Sequence, residues 1–145
     1  MLQKPSFFSL FGMSPVFHID KDALKRTYHV LCRQHHPDVT KTESRLAEIN
    51  EAYRTLENDL RRAEYMNAAP IPRLDEKFLV EIMEYEDQIH GLGSARALEK
   101  LRAELDRRVR ECYQNYMKPE CLAKWRYFER LIEMLNKKEE TLELH

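Results

Sequence analysis

His36, Pro37 and Asp38 set an imidazole and a carboxylate on either side of a proline. Polar groups held at a stiff turn are equipped to contact a partner. The alternative is a histidine that merely fills a loop beside a proline. A competing arrangement uses His29, Cys32 and His36, which would share one face of a continuous helix and are ligand types that zinc favours. Structural zinc normally takes a fourth protein ligand, and none sits at a recognisable nearby spacing. No metal site is therefore expected, and Cys32 reads as a small buried hydrophobe. The sequence has no glycine-rich phosphate loop, nucleophile elbow or paired-carboxylate motif. No enzyme, no catalytic residue and no cofactor is expected.

The elements that must position the tripeptide are helical. From Lys21 to His35, Leu24, Tyr28 and Leu31 recur at spacings of four and three, which gathers them on one face, while Arg26 and Arg33 fall elsewhere. Asp20 precedes this run as an N-cap. Pro37 stops it, because the residue before a proline is pushed out of helical dihedrals. His36 and Asp38 are then left at a loop tip. A second run from about Glu43 places Leu46, Ile49, Tyr53 and Leu56 on one face and is expected to pack antiparallel against the first.

The chain has 145 residues, 43% hydrophobic and 34% charged, with only three glycines, which suits an all-α protein of one ordinary or two small domains. A net charge of −1 argues against general nucleic-acid binding, whose affinity comes from cations neutralising phosphates. The basic pairs Arg61–Arg62 and Arg107–Arg108 read as solvated helix faces. Three cysteines, Cys32, Cys112 and Cys121, without a closely paired motif fit a reducing compartment. No apolar run approaches the roughly 20 residues that cross a bilayer, so no membrane partner is expected. The opening LysProSerPhePheSerLeuPheGly reaches fold-like sequence almost at once, leaving little room for a cleavable presequence.

A proline-bearing join, AsnAlaAlaProIleProArg at 67–73, divides the chain into expected domains 1–70 and 71–145. Beyond it three helices are expected, Asp75 to His90, Ser94 to Met117 and Pro119 to Leu142, broken by GlyLeuGly and LysProGlu. Seams of Leu98, Leu101, Leu105, Val109, Cys112 and Tyr116, and of Leu122, Trp125, Phe128, Ile132 and Leu135, predict an antiparallel three-helix bundle. On its first helix, Phe78, Ile82, Tyr85 and Ile89 form a narrow core arc. Leu79, Val80 and Met83 lie outside that arc, with Asp87 in the same sector and Glu84 beyond. An apolar patch with an acidic margin is the layout of a protein contact site. The same side chains would be ordinary core if the N-terminal half covered them.

The stretch IleAsnGluAlaTyrArgThrLeu at 49–56, followed by ArgAlaGluTyr at 62–65, resembles the third helix and fourth-helix region of J domains, and HisProAsp at 36–38 fits their loop. An N-terminal J domain, a short rigid join and a C-terminal three-helix bundle resemble the HscB family, co-chaperones of iron–sulfur cluster assembly. PheSerLeuPheGly at 8–12, ArgArgAlaGluTyr at 61–65 and PheLeuValGluIleMetGlu at 78–84 also resemble that family. The resemblance implies that His36, Pro37 and Asp38 engage a DnaK/HscA-type chaperone and stimulate its ATP hydrolysis. Arg26 and Arg33 look like the basic positions that meet an acidic chaperone surface. His29, Val30 and Gln34 stand where J domains often carry basic or similar polar residues, a departure that points to a weak or selective contact. The resemblance further implies that Leu79, Val80, Met83, Glu84 and Asp87, with Arg126 and Tyr127 from the last helix, hold an IscU-type scaffold protein. The implied compartment is a bacterial cytoplasm or a mitochondrion-like matrix. A J-domain co-chaperone for a different client is the alternative.

Overall fold

The computed structural model describes residues 6–36, 38 and 45–143. Among the described residues there are seven helices and no strand. The chain divides into two compact units, Met1–Ala68 and Ala69–His145.

The first unit contains α1 (Phe7–Leu10), α2 (Lys21–Gln34), α3 (Leu46–Glu57) and α4 (Asp59–Met66). Ser6 caps α1 by accepting the Ser9 amide, and Gly12 follows it at φ 64, a left-handed conformation in which only glycine avoids a Cβ penalty. Asp20 caps α2 through the Ala23 amide at 3.0 Å, as expected. Leu24, Ile49, Ala52 and Leu56 form the core with Phe8 and Phe11, and Tyr28, Leu31 and Cys32 pack partly buried against it. The Tyr28 ring stacks on Tyr53 at 4.1 Å, and its hydroxyl donates to Asn50 Oδ1 at 2.6 Å. Lys21 pairs with Asp59 at 3.0 Å, which brings the start of α2 beside the end of α3 and makes the pair an antiparallel hairpin. Helix α3 begins at Leu46, later than the expected start at Glu43, which lies outside the described residues; Arg45 occupies the N-cap without a capping side-chain bond.

The expectation that Arg62 lies on a solvated face is wrong. Arg62 is 1% exposed. Its Nε donates to the Phe17 carbonyl at 2.6 Å, one terminal nitrogen to the Leu56 carbonyl at 2.7 Å, and the other to Asp59 Oδ1 at 2.9 Å. A buried guanidinium persists because its donors are satisfied. Here one side chain ties the α1–α2 connection to the ends of α3 and α4.

The second unit is an up-down-up bundle of α5 (Glu76–His90), α6 (Ala95–Gln114) and α7 (Pro119–Glu143). Asp75 and Ser94 cap α5 and α6. Tyr85 bonds Glu104 at 2.9 Å while Arg108 bridges to Glu81, so residue numbers rise on α5 as they fall on α6. Arg102 bonds Asn136 at 2.8 Å across α6 and α7. Arg108, like Arg62, departs from the solvated reading: it is partly buried, and its guanidinium lies 4.7 Å from the centroid of Phe128. The expected core arc of α5 is observed, with Phe78, Ile82, Tyr85 and Ile89 all buried. Helix α6 stops at Gln114 rather than Met117, because Asn115 leaves helical geometry and turns its side-chain amide back onto the Glu111 carbonyl at 2.8 Å. On α7 the seam runs through Leu131, fully buried, while Ile132 is only half-buried.

Candidate functional site

The hairpin tip follows from how α2 ends. The His35 amide closes the last turn on the Leu31 carbonyl at 3.0 Å, and the chain then leaves the helix. His36 and Asp38 are exposed, and Pro37 lies outside the described residues. The Asp38 amide donates to His36 Nδ1 at 3.1 Å. The Asp38 carboxylate also approaches Nδ1, at 3.5 Å. The tip thus sets an exposed imidazole beside a carboxylate that is 90% exposed.

Arg26 and Arg33 are exposed on α2. Seven residues are close to two turns, so both project from the same side of the helix. Val30 lies on that side too and is 41% exposed, so the row is broken by an apolar side chain. The possible zinc set does not form. His36 lies beyond the helix that would have aligned it with His29 and Cys32, and among the described residues no three His, Cys, Asp or Glu side chains are grouped to hold a metal ion.

On the bundle, Val80 is 52% and Met83 61% exposed, with Glu84 and Asp87 exposed beside them and Leu79 half-buried. The exposure follows from the inward arc: residues two and five places from Ile82 and Phe78 must point away from it. Leu79, Arg126 and Tyr127 line a single cleft of about 530 Å³. Val80, Met83, Glu84 and Asp87 are not in its lining and occupy the adjoining outer face of α5. Tyr127 is fixed edge-on to Phe78 at 5.8 Å between ring centroids, with the Arg130 guanidinium 5.2 Å from its own ring centre. Sequence reasoning missed Arg73 and Arg130, which also line this cleft. Arg130 was detectable as the next turn after Arg126 and Tyr127; Arg73 was not, because it lies outside any periodic element.

An all-helical chain with a hairpin of this form and a separate three-helix bundle defines the J-domain co-chaperone class. Residues 6–65 match the DnaJ domain model, and residues 74–118 match that of the HSCB C-terminal oligomerisation domain. Two relatives are each called co-chaperone protein HscB homolog. That of Neisseria meningitidis is 30% identical, with 72% of this chain and 73% of the relative aligned. That of Vibrio vulnificus is 31% identical, with 76% of this chain and 74% of the relative aligned. Among solved structures, the chaperone HscB from Vibrio cholerae superposes with a TM-score of 0.83 at 25% identity, covering 94% of this chain and 99% of the other. Human co-chaperone protein HscB gives 0.81 at 26% identity, covering 92% and 82%. The chain belongs to the HscB family of J-domain co-chaperones.

Proposed function

We propose that this chain recruits an ATP-dependent chaperone of the DnaK/HscA type through its hairpin tip and presents to it an iron–sulfur scaffold protein of the IscU type held on the bundle. His36 and Asp38, with Pro37 between them, engage the chaperone. Arg26 and Arg33 speed encounter with an acidic surface on it. Leu79, Val80, Met83, Glu84 and Asp87, with Arg126 and Tyr127, hold the scaffold. The chain has no chemistry of its own: hydrolysis is the chaperone's, and it locks that chaperone onto the delivered client. Such coupling requires that the tip bind the chaperone's two nucleotide states with different affinity, since only differential binding shifts an equilibrium. The partners are expected together in a bacterial cytoplasm or a mitochondrion-like matrix.

One observation carries this reading: a single chain bears an exposed imidazole–carboxylate tip on one unit and, on the other, an exposed apolar patch whose Leu79 shares a cleft with Arg126 and Tyr127. The test is a chaperone ATPase titration with this chain, with and without scaffold. Stimulation by the chain and further synergy with scaffold are expected. Stimulation without synergy would assign the chain to a different client, and no stimulation would remove the reading altogether.

A further inference from the structure

The cleft beside the proposed scaffold face has a charge pattern that the apolar patch does not share. Its base is apolar, with Leu74, Leu79 and Ala123 among the residues that line it. Three arginines, Arg73, Arg126 and Arg130, line it as well, and none of its lining residues is acidic. The chain as a whole carries a net charge of −1, so this cationic concentration is a local arrangement and not an average property of the surface. The neighbouring outer face of α5 carries the opposite sign in Glu84 and Asp87. The cleft and the adjoining face of α5 thus carry opposite charge.

The arginines are also positioned to different degrees. Arg130 is anchored, pairing with Glu86 at 3.0 Å and lying over Tyr127. Glu86, the partner of Arg130, is outside the cleft lining. Guanidinium groups at the edge of an apolar recess bind carboxylates well, because planar donors match the two oxygens and the recess limits competing water. The recess is short and the remaining surface is not cationic, which disfavours a polyanion such as nucleic acid.

We infer that this cleft receives an acidic segment of the scaffold partner, one that inserts an apolar side chain and offers carboxylates to Arg73 and Arg130. The inference rests on the proposed function and names the chemistry of the partner at that same face. Arg73 and Arg130 then set specificity, while Leu79, Val80 and Met83 supply the apolar contact. Opposed charges on the two halves of the surface orient the partner, since reversing the docked segment would put like charges together.

The test measures scaffold affinity of the full chain by calorimetry at two salt concentrations, with circular dichroism to verify folding. R73Q/R130Q is expected to weaken binding about tenfold or more at low salt, as for lost charge-assisted hydrogen bonds, and to flatten the salt dependence. E86Q, which removes the intramolecular partner of Arg130, is expected to leave affinity unchanged or raise it. An E86Q loss equal to that of R73Q/R130Q would make the effect structural and overturn the inference. Unchanged affinity in R73Q/R130Q together with loss in Leu79→Ala/Val80→Ala/Met83→Ala would overturn the acidic-segment inference alone. Unchanged affinity in both variants would overturn the proposed scaffold face as well. Inorganic phosphate that bound the chain alone at millimolar concentration, with that binding lost in R73Q/R130Q, would assign a free-anion site instead. Concentration-dependent sedimentation of the chain alone, lost in R73Q/R130Q while scaffold affinity persists, would assign the cleft to a second copy.

Discussion

The Arg62 guanidinium lies 4.6 Å from the centroid of the Phe17 ring while its Nε donates to the carbonyl of that same residue. Ring and carbonyl together hold the cation from two directions, and Phe17 is 1% exposed. This contact joins positions 45 residues apart and makes Arg62 a structural centre of the first unit.

Arg62→Ala should therefore destabilise the first unit by about 3 kcal/mol, because two carbonyls and part of the Asp59 carboxylate lose a buried donor. Lysine should not rescue, since one ammonium cannot span three acceptors set in different directions. The chain has one tryptophan, Trp125, buried in the bundle, so its fluorescence reports the second unit alone. In urea, the far-UV signal of Arg62→Ala should develop an early transition while the Trp125 transition keeps its midpoint.

His36→Gln should abolish chaperone ATPase stimulation and leave scaffold affinity within twofold. Glutamine keeps polar atoms but lacks the ring whose Nδ1 accepts the Asp38 amide and fixes the imidazole at the tip. Steady-state phosphate release checks this, and stimulation at the unsubstituted level would exclude the tip from the contact.

Leu79→Ala, Val80→Ala and Met83→Ala together should lower scaffold affinity at least tenfold with chaperone stimulation by the chain alone retained. Val80 and Met83 are more than half exposed, so each contributes only about 0.5 kcal/mol to folding. Ile82→Ala, on the opposite face at 2% exposure, should cost about 2 to 5 kcal/mol of stability. Thermal unfolding and scaffold titration would separate the two sets of residues.

Burial pushes the Asp59 carboxyl upward, but Lys21 and Arg62 outweigh it and hold the group below its ordinary value. A carboxylate lowered in the folded state contributes stability that is complete above its unfolded pKa of about 3.9 and is lost as pH falls through the folded value. Asp59→Asn should remove that part of the acid limb, leaving the first unit less stable at neutral pH yet less sensitive to acid below about pH 4. Urea midpoints across that range would test the sign.

Burial pushes the Cys112 thiol up to about 11. It should resist alkylation in the folded protein at pH 8, because the thiolate is the reactive form and the site is closed. Mass spectrometry after brief iodoacetamide treatment should find Cys112 unmodified until the bundle is unfolded. Rapid native labelling would contradict the burial.

Much of this architecture was legible from periodicity. The α5 arc is the clearest instance: a run advancing about 100° per residue forces Phe78, Ile82, Tyr85 and Ile89 to one side and leaves Leu79, Val80 and Met83 off it. The α2 cap and the proline at the start of α7 were equally local, since capping depends on neighbours in sequence. Leu131 was misjudged in favour of Ile132 because both continue the Phe128 stripe, and the choice depends on the directions from which α5 and α6 approach.

By itself the sequence determined the main helical stretches, the inward arc of α5 and that a histidine and an aspartate flank a proline after α2. These are properties of neighbours a few residues apart, set by backbone sterics and by apolar spacing. Only the tertiary structure decided that Arg62 is interior and that Arg73, Leu79, Arg126, Tyr127 and Arg130 line one cleft. The acceptors of Arg62 include the backbone carbonyls of Phe17 and Leu56, which no side-chain pattern records, and the cleft exists only where α5, α7 and the segment before them converge. Chain neighbours prescribe local geometry, but burial and convergence are set by packing between distant segments.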